Sequence, residues 1–167
     1  RGSSVFVAAA GGSSVPRLGP AFILEMVGFS AGRGAQKVPP GMRALFPGAA
    51  LNIMRRGHSG DFLIALTRGR GKRLARAVAQ HSRMAGGPPV LTLGLPGWLP
   101  VPADLLRSDH APFWRARIPA VMGGDTANFR NPNYHLPSDT PETLDYEMIA
   151  GLASALAETV AEVAGAR

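Results

Sequence analysis

The sequence has no cysteine, which excludes a disulfide scaffold, a cysteine-built zinc ribbon and a thiol nucleophile together. Acidic side chains are nearly absent from the first hundred residues, where only Glu25 and Asp61 occur. A transmembrane span is lacking as well. Gly86 to Ala103 is uncharged over 18 residues but carries Pro88, Pro89, Pro96, Pro100 and Pro102, and no lipid-facing helix is built from such a run. The apolar part of the opening segment, Val5 to Ala10, is shorter than a signal-peptide core of roughly 7–15 residues. Neither segment predicts a membrane or targeting element.

What is present describes a packed globule. Hydrophobic residues make up 46% and charged ones 17% of 167 residues, enough to bury a core in one domain. The formal charge of +7 is unevenly spread, +11 over residues 1–100 and −4 over 101–167. The densest basic run is Arg68-Gly-Arg-Gly-Lys-Arg-Leu-Ala-Arg76. Two readings stand beside each other, a nucleic-acid patch and a solvated turn leading into a helix. The run contains no aromatic residue to stack on bases, so no nucleic-acid partner is expected. It is not a phosphate loop either, because Arg73 follows Gly71-Lys72 where Ser or Thr is required.

Four apolar runs predict strands: Ala21–Val27, Asp61–Thr67, Pro89–Leu95 and Ile118–Met122. Their near-continuous hydrophobicity predicts burial on both faces of a sheet. Helical patterns fall between and after them, over Lys72–Met84, Asp109–Arg117 and Asp145–Ala164. In the last, Ile149, Leu152, Ala153, Leu156, Val160 and Val163 form one apolar stripe, and Asp145 supplies capping chemistry at its start. This alternation predicts an α/β fold of three layers. Gly28 to Gly60 is a long Gly/Pro-rich connection, of the kind that is functional or disordered.

The acidic third of the chain holds the candidate chemistry. Ser108-Asp-His-Ala-Pro-Phe-Trp114 sets a carboxylate beside an imidazole, and Asp125-Thr-Ala-Asn-Phe-Arg-Asn-Pro-Asn-Tyr-His135 follows a predicted strand. Loops at the carboxyl ends of strands are where α/β sheets place ligands. Each residue also has a plain structural reading: Asp109 and Asp139 as caps, His110 as a packed histidine bonded to a carbonyl. Glu25, inside Ile-Leu-Glu-Met-Val, is expected to be buried and to need a cation, a metal or a proton. Its alternative is a buried salt bridge or an outward-facing edge position.

Three strings, Leu24-Glu-Met-Val-Gly-Phe29, Ser108 to Met122 and Asp125 to Ile149, resemble segments of the di-zinc aminopeptidase family, whose fold is shared by glutaminyl cyclases. The resemblance runs from about Gly2 to the final helix. It implies a three-layer zinc-exopeptidase-like fold, a mixed sheet flanked by helices, with residues 1–167 forming the C-terminal portion of one catalytic domain. It implies that Glu25 and His135 each ligate one of two zinc ions. It places Asp109 as a supporting catalytic acid, His110 and Asp125 as residues orienting the loop before His135, and Arg130, Asn131 and Tyr134 along the pocket for a peptide substrate.

Other motifs of that family are not found in this sequence. A His-x-Asp pair, an Asp at a Gly/Ala-rich helix start and an adjacent Glu-Glu are expected before Leu24, yet none of the first 23 residues is Asp, Glu or His. Gly2-Ser-Ser-Val-Phe-Val resembles the helix that follows the Glu-Glu pair, and the chain opens on Arg1. The chain is therefore expected to lack its general base, to bind zinc weakly by itself, and to present uncovered sheet edges suited to self-association. The function expected is a zinc aminopeptidase, truncated here and inactive alone. The alternatives are a non-catalytic binding module on the same fold and a basic nucleic-acid binder.

Overall fold

A computed structural model describes residues 2–10 and 18–165, the side chain of Asp104 excepted; Arg1 lies outside them. Helix α1 spans Gly2–Ala9, strand β1 Ala21–Leu24, and helices α2 and α3 Met42–Leu45 and Pro47–Arg55. Strand β2 (Leu63–Arg68) leads through a 3-10 turn at Gly69–Gly71 into α4 (Lys72–Met84). Strand β3 (Val90–Leu95), helix α5 (His110–Arg115), strand β4 (Ala120–Gly124) and helix α6 (Tyr146–Val163) follow.

The four strands form one mixed sheet in the order β1-β4-β2-β3. β1 is parallel to β4, with Ala21 opposite Ala120. β2 is parallel to β3 but antiparallel to β4. Side chains along β2 alternate between two apolar clusters, as a pleated strand requires. Leu63 and Ala65 join Leu74, Ala75, Val78, Met148 and Leu152 from α4 and α6. Leu66 joins Met42, Ile53, Phe113 and Trp114 from α2, α3 and α5. Helices thus cover both faces, which is why these strands read as continuous apolar runs.

The Gly28–Gly60 connection departs from expectation, since it contains α2 and α3. Pro47 occupies the first turn of α3, where its missing N–H costs nothing, and Ala50 and Ile53 on the inward side are buried. The segment covers a sheet face.

Helix α6 begins where its capping residue predicts. The Asp145 carboxylate accepts from Met148 N–H at 2.9 Å and from Ser30 Oγ at 2.6 Å. These bonds, Ser30 first, hold its pKa below the ordinary value. A carboxylate with a depressed folded pKa contributes stability at neutral pH that is lost as pH falls through that value. Asp145→Ala is therefore expected to cost about 1 kcal/mol at pH 7 and progressively less below pH ~4, as urea unfolding at the two pH values will read.

Candidate active site

β1 and β4 run side by side in the same direction, so their carboxyl ends deliver two loops to one place. Asp125 N–H donates to Met26 O at 2.6 Å and Glu25 N–H to Gly123 O at 2.9 Å, which carries the pairing past the ends of both strands. A Cβ on Gly124 would stand 2.6 Å from the Glu25 carbonyl oxygen, so only glycine permits this approach.

Asp125 is buried, with 1% of its surface exposed. Its carboxylate accepts from Phe29 N–H at 3.0 Å and Ala127 N–H at 2.9 Å, tying the loop after β1 to the loop after β4. Burial pushes its pKa up, against those two bonds and the nearby charge of Arg130. Arg130 is equally enclosed, at 4% exposure. Its Nε donates to Gln36 Oε1 at 2.8 Å and its Nη1 to Phe29 O at 3.2 Å, while its carbon Cζ lies 4.5 Å from the centre of the Phe62 ring. Burial lowers its pKa to about 10, with Asp125 and Asp61 opposing, so it remains a cation at neutral pH. The same Gln36 oxygen accepts from Thr126 Oγ1 at 3.0 Å.

Against this bracing lies a cavity of about 270 Å³. Met26, Val27, Phe29 and Leu144 give it apolar walls, and Asp125, Asn131, Asp139 and Thr140 give it polar ones. Asn131 is held on both sides, its Oδ1 accepting from Asn133 N–H at 2.8 Å and its Nδ2 donating to Asp139 Oδ1 at 3.2 Å. Four non-glycine residues around these loops have left-handed backbone: Met26, Thr126, Ala127 and His135. Such conformations cost roughly 1–3 kcal/mol each and concentrate at functional sites.

The structure separates the residues expected of this site. Asn131 and Asp125 are at the cavity, and Tyr134 stacks on His135 with ring centres 4.0 Å apart. His135 itself is exposed. Glu25 is exposed too, which corrects the expectation of burial: β1 lies at the edge of the sheet formed by the described residues, and Glu25 stands just past its end. Arg130 does not line the cavity; its guanidinium is directed into the protein and engaged by Gln36 and Phe29. His110 does not bond the loop before His135. It is buried, its Nε2 pairs with Leu105 O at 2.7 Å, and its ring meets Trp114 edge-on. Asp109 makes no helix-capping bond and instead accepts from Ser3 Oγ at 2.7 Å.

Sequence reasoning missed Gln36, Phe29 and Met26. Gln36 is a polar residue in a Gly-rich loop, and nothing local marks it as buried.

The residues present do not fit a zinc ion by themselves. Among the described residues no three His, Asp or Glu side chains stand together as a metal group, whereas catalytic zinc requires three protein ligands. Glu25 and His135 both face solvent.

The chain is similar to known proteins over much of its length. The family model described as Peptidase family M28 matches residues 98–160. The Escherichia coli (strain K12) protein YfbL, described as uncharacterized, is 33% identical over 129 residues, covering 76% of this chain and 36% of that protein. A crystal structure of the Legionella pneumophila LapA aminopeptidase superposes with a TM-score of 0.53 at 19% identity. A second LapA structure gives 0.52 at 18% identity. Each alignment covers 96% of this chain and 36% of LapA, so the chain spans about a third of these relatives' length.

Proposed function

We propose that the chain, whose residues 98–160 match the model of peptidase family M28, is the substrate-shaping part of a zinc-dependent, aminopeptidase-type hydrolase. One observation carries the reading. The two loops that resemble the family's site segments, one after Leu24 and one from Asp125 to Asp139, meet around a cavity walled by both apolar and carboxylate groups. Its apolar side suits the first side chain of a peptide. Asp139 and Asn131 suit the ammonium group beside it, since a carboxylate and an amide oxygen accept from –NH₃⁺.

Within that reading Glu25 and His135 contribute one ligand to each of two zinc ions. Among the described residues neither is joined by the further ligands a catalytic zinc requires. The chain's residues bind and orient: Asp125 fixes Phe29, and Asp139 fixes Asn131. The 167-residue chain alone is then a folded but incomplete peptidase. The coding sequence upstream of Arg1 tests this. An in-frame His-x-Asp pair followed by Glu-Glu is the expected finding, while an upstream reading frame without either motif would favour a binding module.

A further inference from the structure

The basic run after β2 has no place in the site just described, and the fold supplies the aromatic residue that the run itself lacks. β2 and β3 run opposite to β4, so their carboxyl ends lie at the far end of the sheet from Asp125. Two segments leave the sheet there, the Gly69–Gly71 turn after β2 and the Pro96–Pro100 loop after β3. They touch: a Cβ on Gly69 would stand 3.7 Å from the Gly97 Cα. Arg68 Nη2 donates to Gly97 O at 2.6 Å and Leu99 O at 3.1 Å, bracing the loop from below.

The loop carries Trp98, a large apolar side chain left 81% exposed. Pro96 and Pro100 flank it, and Leu99 and Val101 pack partly buried against the core. Arg70 in the adjoining turn, and Lys72 and Arg73 at the start of α4, are exposed. None of the three enters an ion pair among the described residues, and residues 62–103 contain no Asp or Glu. The surface is therefore an indole on a braced tip beside uncompensated cations.

We propose that this end of the sheet docks on an anionic lipid bilayer, with Trp98 entering the headgroup layer and Arg70, Lys72 and Arg73 facing lipid phosphates. Tryptophan favours that layer because its ring is apolar and its N–H is polar. Basic residues near an anionic leaflet each strengthen partitioning roughly fivefold. Single-stranded nucleic acid is the weaker match, since it needs a groove with several stacking platforms and this loop offers one. Among the described residues no helix is long and apolar enough to cross a membrane. The proposed contact leaves the Asp125 cavity, at the other end of the sheet, unobstructed.

Vesicles of phosphatidylglycerol mixed with phosphatidylcholine test the assignment on the 167-residue chain. The chain is expected to co-sediment with these and not with phosphatidylcholine alone. Its tryptophan emission is expected to shift to the blue and to be quenched by brominated acyl chains. There are two tryptophans, and Trp114 is already buried, so the shift reports Trp98. Trp98→Ala should remove the quenching. The pair Arg70→Gln and Lys72→Gln should weaken binding roughly twenty-fivefold. A charge-matched pair, Arg33→Gln and Arg55→Gln, should leave it unchanged, because Arg33 packs against Gly57 before β2 begins, at the opposite end. Three results would overturn the proposal: no binding to anionic vesicles, equal loss in the charge-matched pair, or tighter binding of a single-stranded oligonucleotide than of vesicles in the same salt.

Discussion

Replacing Arg130 with methionine is expected to lower the unfolding free energy by about 3–5 kcal/mol, the cost of removing one partner from a buried charged network. The side chain joins the loop after β4 to the connection that follows β1. Its Nε serves Gln36, its Nη1 serves the Phe29 carbonyl, and its charge stands near Asp125. Methionine fills much of the same space and offers no donor. Gln36 Oε1 would keep only Thr126, and the Asp125 carboxylate would lose the cation that opposes its desolvation.

The second consequence concerns pH. Burial already raises the Asp125 pKa, so this aspartate favours the folded state below its unfolded value and loses that contribution as pH rises through the folded one. The sign is opposite to that of Asp145. Without Arg130 the pKa rises further, so the variant is expected to recover part of its lost stability on mild acidification. Guanidinium unfolding at pH 5 and pH 7 will read both effects. A loss below 1 kcal/mol at neutral pH would mean that Arg130 is not the brace described here.

Phe62→Ala is expected to cost a similar ~3–5 kcal/mol by opening a cavity in the core. Phe62 is fully buried in the cluster with Ile53, Leu66 and Trp114, and its ring forms the floor beneath the Arg130 guanidinium. Part of the cost is the lost cation–ring attraction, worth about 2 kcal/mol when desolvated. The two substitutions should therefore be less than additive, because each removes the same contact. Folded domains are stable by only ~5–15 kcal/mol, so the double variant approaches unfolding at room temperature. Full additivity in a double-mutant cycle would show that the stacking carries no energy.

Much of the architecture was legible from local signals. The limits of α4 followed from apolar residues at helical spacing after Gly71, and the start of α6 from the Asp145 cap. Strands buried on both faces read as apolar runs because helices cover each face. The candidate site was legible in part. Asp125 and Asn131 stand where a loop after a buried strand places them. Glu25 misled because its exposure depends on strand order, which places β1 at the edge of the described sheet. Arg130 misled because the group that accepts from its Nε is 94 residues away in sequence. A polar loop predicts a solvated arginine unless the buried oxygen of Gln36 is known. The approach of the Trp98 loop to the Gly69–Gly71 turn was hidden for the same reason, since it arises from β2 and β3 ending side by side.

The proposed function gives this chain the cavity and a minority of the metal ligands of an aminopeptidase-type hydrolase. Zinc content by elemental analysis, together with turnover of an aminoacyl amide before and after chelation, tests it most directly. The measurement is made first on the 167-residue chain and then on the same chain joined to its in-frame upstream residues. The chain alone is expected to hold less than stoichiometric zinc and to show no chelator-sensitive turnover, and the longer polypeptide to show both zinc and turnover, with zinc reduced by His135→Ala. Stoichiometric zinc with chelator-sensitive turnover in the 167-residue chain would contradict the account, as would a longer polypeptide whose zinc is indifferent to His135.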